Sequence, residues 1–62
     1  MRIWIDQGRT LLPICECGWR GDPTLDRGNA LQQGRDHELR AHTGDKDALR
    51  SLNAYRWRHA AP

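Results

Sequence analysis

A chain of 62 residues with a formal net charge of +2 has room for one domain and a thin core. Its length leaves no room for a second domain and little for a substrate, and its composition excludes a membrane-spanning run of about 20 apolar residues. Ten basic residues, nine of them Arg, face eight acidic ones, a milder bias than dedicated nucleic-acid binders carry.

There is no Val and no Phe, and the large apolar residues are scattered Ile, Leu and Trp. Burying a Leu or Ile is worth about 1.5–3 kcal/mol, close to the roughly 1.5 kcal/mol that ordering one residue costs. A staple is therefore expected.

The elements follow in chain order. Residues 2–14 predict a β-hairpin: Ile3-Trp4-Ile5 is a short strand, Asp6-Gln7-Gly8-Arg9 has turn chemistry, and Thr10-Leu11-Leu12 resumes an apolar run. Pro13 cannot donate to a ladder, so the second strand is expected to lie at an edge or to end there. Residues 15–21 form a turn carrying Cys15 and Cys17. In it Gly18 supplies a positive φ, and Trp19 is expected to lie over the thiols.

A first helix is predicted over about residues 24–43, capped by Thr24 or, since Gly28 weakens its start, by Asn29. Ala30, Gly34, His37 and Ala41 share one small-residued face, against which Trp19 is the expected partner. Gly44 ends this helix in a left-handed conformation. A second helix over about residues 45–59 follows, capped by Asp45, with Ala48, Leu52, Tyr55 and His59 in one stripe. Ala60-Ala61-Pro62 is expected to fray.

Two residue pairs carry the chemistry. Cys15 and Cys17 sit at one end of a spacer, and His37 and His42 at the other. Two thiols and two imidazoles are the donor set of a tetrahedral zinc ion. A disulfide between cysteines one residue apart would close a strained ring and remove little chain entropy. No leader with a charged start and apolar core opens the chain, so reduced thiols in the cytoplasm are expected.

His37 and His42 lie five apart, roughly 140° around an ideal helix, so both can aim at one point only if the last turn is distorted. His59 is the alternative fourth ligand, although its stripe suggests packing instead. All four positions filled by protein leave no open site for catalysis. An enzyme is therefore not expected, and a structural zinc is.

At these residues the chain resembles a two-cysteine, two-histidine zinc finger. Arg40-Ala41-His42-Thr43-Gly44-Asp45-Lys46 is similar to that family's R-x-H-T-G-E-K ending and linker. The Cys15-x-Cys17-Gly18-Trp19 opening also resembles small zinc-finger-like proteins of actinobacteria and actinophages, which implies a host cytoplasm if the chain is phage-encoded. Two departures limit what carries over. Nineteen residues separate Cys17 from His37, where the finger has about twelve, and Gly34 stands where the finger's helix Leu belongs.

The expectation is thus a small zinc-stapled α+β domain of residues 1–62: hairpin, Cys-bearing turn, two helices. Nucleic acid is the first expected partner, reached through Arg35 and Arg40 on the first helix and Arg50, Arg56, Trp57 and Arg58 on the second, with Gln32 and Gln33 beside them. The alternative is a protein partner, or a second copy of the chain, docked on the second helix. The bland alternative is that the Arg residues solvate helix surfaces, interspersed with Asp22, Asp26, Asp36, Glu38, Asp45 and Asp47.

Overall fold

The computed structural model describes residues 1–59; the expected fraying of Ala60-Ala61-Pro62 lies outside the described residues. An antiparallel hairpin of β1 (Ile3–Gln7) and β2 (Leu11–Cys15) is followed by helices α1 (Arg27–Ala41) and α2 (Asp47–His59). This is the expected α+β order. No described helix is long and apolar enough to cross a membrane.

The hairpin register pairs Ile3 with Cys15 and Gln7 with Leu11. Asp6 and Gln7 therefore belong to β1 rather than to the turn, which is Gly8-Arg9-Thr10, closed by Gly8 N–H donating to the Thr10 carbonyl at 3.0 Å. β2 is an edge strand of the two-stranded sheet, as Pro13 implied, but it does not end there. Pro13 sits buried in mid-strand, opposite Ile5. Its carbonyl accepts from Gly21 N–H at 2.9 Å, and Leu11 and Thr24 exchange hydrogen bonds on that same side. Because N and O of one strand residue point the same way, the missing N–H of Pro13 faces the returning chain and removes nothing from the β1 ladder.

The helices begin where side-chain acceptors lie, not where the sequence first suggests. Asp26, rather than Thr24 or Asn29, caps α1, its carboxylate accepting from Gly28 N–H at 2.9 Å. Thr24 Oγ1 in turn accepts from Asp26 N–H. Asp45 does not cap α2. Its carboxylate accepts from the Met1 amino group at 2.6 Å, an exposed pair in which that hydrogen bond raises the pKa of the amine and lowers that of the acid. Asp47, the first residue of α2, binds the free edge of β1 by accepting from Ile3 N–H at 2.9 Å.

The start of α2 is held from α1 instead. Glu38, 0% exposed, reaches across so that Oε2 accepts from Ala48 N–H at 2.8 Å and Oε1 from Leu49 N–H at 3.2 Å. Arg35 Nη1 donates to the same Oε1 at 2.8 Å. The reading of Glu38 as a solvated surface residue is thus overturned: two helix amides and a guanidinium replace the water it loses.

The small face of α1 is met by Trp19 at His37, as expected, and by other partners at Gly34. A Cβ on Gly34 would stand 3.0 Å from Ile3 Cγ2 and 3.9 Å from Ala48 Cβ, so β1 and α2 close over Gly34, while Trp19 stacks on His37 of the same face. Ala41 is exposed. Around these contacts the buried set is small: Pro13, Cys15, Ala30, Gly34, Glu38, Ala48 and Leu52.

Candidate metal centre

Two local structures present the four donors. Cys15 ends β2, and the chain reverses at once: Gly18 N–H donates to the Cys15 carbonyl at 2.9 Å, and Cys15 N–H to the Trp19 carbonyl at 2.8 Å. Gly18 takes φ +102°, a conformation that L side chains rarely adopt. Cys15 is buried and Cys17 exposed, so the turn holds one thiol on the core side and one at the surface.

His37 projects from α1. His42 is the residue after its end, with φ −132° and ψ 51°, its N–H still donating to the Glu38 carbonyl. Leaving helical geometry at this residue removes the 140° divergence that a continued helix would impose. Gly44, at φ +100°, carries the chain away.

The donors close into a compact set. Cys15 Sγ lies 3.4 Å from His42 Nε2, and Cys17 Sγ lies 3.4 Å from His37 Nε2. All four donor atoms fall within 4.8 Å of one another. A tetrahedral ion with bonds of ~2.3 Å to sulfur and ~2.0 Å to nitrogen would space S and N about 3.5 Å apart, so these distances match edges of such a tetrahedron. The four residues are positioned to bind one metal ion.

Trp19 stacks on His37 with ring centroids 4.3 Å apart and planes 5° from parallel, fixing the ring that its backbone turn faces. The indole thus lies against one of the four donor residues.

The two thiols differ in acidity for opposite reasons. Burial pushes Cys15 up. Cys17 is lowered to about 6, chiefly by the Trp19 backbone hydrogen bond, then by His42, Cys15 and His37. A thiol that is acidic in the fold favours its deprotonated form there. That contribution is complete above the ordinary value of 9.0, shrinks as pH falls and is gone below about 6. Metal ligands must also be deprotonated. Because a bound ion competes with protons for these ligands, metal content should hold near pH 7 and fall on acidification, measured with a chromogenic chelator after gel filtration; retention at about pH 4 would contradict this.

The other expected contact residues separate into two groups. Arg35 is not available to a ligand: it is 18% exposed, bonded to Glu38 and 3.4 Å from the Asp45 carbonyl. Gln33 clasps the Asp22 backbone through both ends of its amide, and Gln32 bonds Asp36 and Arg56. Arg40, Arg50, Arg56, Trp57 and Arg58 are exposed. His59 is absent from the donor cluster; its ring packs 4.2 Å from that of Tyr55.

Glu38 is the residue that sequence reasoning misses. Its available signal was Arg35 one turn earlier, a suitable i, i+3 partner. The chain matches no known family model, no curated protein and no solved structure.

Proposed function

We propose that the protein is a structural zinc module that presents α2 to nucleic acid. Two thiols and two imidazoles gathered this closely, with both S···N separations at 3.4 Å, suit zinc, and four protein ligands leave no coordination position for a substrate. The ion's role is then to tie the hairpin's end to the end of α1, not to catalyse.

The observation that carries the binding reading is how charge divides along the chain. Residues 46–59 hold Lys46, Arg50, Arg56 and Arg58 against Asp47 alone, whereas the first 45 residues are slightly acidic. Asp47 is turned to Ile3 N–H. Trp57, 85% exposed, stands amid these cations. It lies within about 20° of Arg50 around the helix. An indole among guanidiniums is the chemistry that stacks an unpaired base while neutralising its backbone.

The measurement is fluorescence anisotropy of a labelled single-stranded oligonucleotide with the metal-loaded protein. Three or four phosphate contacts predict a slope of log affinity on log salt of about −2 to −3. Trp57→Ala should weaken binding by about 1–3 kcal/mol. Absence of binding at about 50 mM salt would overturn the reading, and the exposed Trp57 would then belong to a protein contact.

A further inference from the structure

A second polar concavity lies away from the metal cluster. The start of α1 and the far end of α2 enclose a groove of about 440 Å³, within the range of small-ligand pockets. Arg27 enters it from α1 and Arg58 from α2. Ser51 adds a hydroxyl, Leu31 is part of the lining, and the ring pair Tyr55 and His59, tilted 33° at 4.2 Å, supplies an aromatic wall.

Three features make this more than a gap between helices. No carboxylate lines it. Arg35 and Arg56 are held by side-chain acceptors, but among the described residues no carboxylate pairs with Arg27 or Arg58. The acid that shares the Gly28 neighbourhood with Tyr55 is Asp26, and its Oδ1 accepts from Gly28 N–H. The wall is also shaped: a Cβ on Gly28 would stand 3.0 Å from Tyr55 Cε1, so glycine there lets the ring lie against the start of α1.

Two unpaired guanidiniums facing one space attract an anion, and the fork of each suits phosphate oxygens. An aromatic wall beside them offers a face to a planar base. We infer that this groove binds a nucleotide, its phosphate between Arg27 and Arg58 and its base against Tyr55 and His59. The source is a free mononucleotide or one unit of a strand; the chemistry of recognition is the same. The aromatic wall is separate from the outward face of α2, since Tyr55 lies about 160° around the helix from Trp57; Arg58 is the one residue the two share. The site does not depend on that face binding nucleic acid.

The test is a titration of ¹⁵N-labelled, metal-loaded protein with AMP, inorganic phosphate and adenosine, read by amide chemical shifts. AMP should shift Arg27, Ser51, Tyr55 and His59 saturably, with a Kd of about 1 mM or tighter. Phosphate should move the same amides more weakly, and adenosine should do so least. Arg27→Gln and Arg58→Gln should each weaken AMP roughly tenfold. Arg9→Gln, on the hairpin turn, should not.

No saturable shift, an equal response to adenosine, or full affinity in both groove variants would each overturn the assignment. A short oligothymidylate that displaces AMP identifies strand phosphates as the source; one that binds without displacing it identifies the free nucleotide. Trp57→Ala should retain AMP binding, which separates the failure of this site from failure of the outer face.

Discussion

Stripping the metal from the Cys15–Cys17–His37–His42 cluster should unfold the protein. The four donors lie within 4.8 Å of one another and connect the end of β2 to the end of α1. Little else in the buried set is large: Leu52 is the biggest aliphatic side chain within it. Zinc binding to small structural sites is worth an apparent ~10–16 kcal/mol at neutral pH, as much as the entire ~5–15 kcal/mol stability of an ordinary domain. Metal analysis should find one zinc per chain, and excess chelator should abolish the helical circular dichroism. Cys15→Ser and Cys17→Ser should each do the same without chelator. His59→Ala should leave metal content unchanged, because that ring packs on Tyr55 instead. A chelated protein with an unaltered spectrum and melting curve would show that the cluster does not hold the fold.

Glu38→Ala should be the most damaging substitution outside the metal ligands. It leaves the Ala48 and Leu49 amides and the Arg35 guanidinium without the acceptor they share. Removing one member of a buried charged pair costs about 3–5 kcal/mol, mainly because the other charge stays buried and unpaired. Replacing Arg35 and Glu38 together by Met should recover much of that loss, since apolar pairs of similar volume can match a buried ion pair. Denaturant titration of the metal-loaded proteins gives the comparison. A change below about 0.5 kcal/mol for Glu38→Ala would place that residue among ordinary surface positions.

The order of elements was legible because each leaves a local mark: alternation and turn residues in the hairpin, glycine at the close of α1, a stripe of Ala48 and Leu52 in α2. The donor cluster was legible for a different reason. Cys and His are few in this chain, and their short spacings let each pair act from one local structure. Even the awkward spacing of His37 and His42 pointed the right way, since it required a distorted last turn, and the chain leaves helical geometry at His42, slightly before the expected end.

The rest depended on the path of the backbone. The partners of Glu38 are mainly amides of Ala48 and Leu49, and an amide looks the same beneath every side chain. Only the tight return through Gly44 brings those two N–H groups beside the last turn of α1. Pro13 poses the same difficulty, because whether its missing donor matters depends on which edge of β2 it faces. Arg35 was misassigned along with Glu38: a charged residue on a helix is exposed unless a partner elsewhere draws it in.

The turn from His37 to His42 can be described as the bearing of the molecule. On one side it meets the hairpin through Cys15 and Cys17, and on the other it grips α2 through Glu38. Tension applied at Arg50 or Trp57 enters α2 and passes through the Glu38 carboxylate into the segment that carries both imidazoles. From there it reaches β2 across the metal cluster. Together with the Asp47–Ile3 hydrogen bond, the compliance of those few residues sets how firmly α2 is held to the rest of the domain.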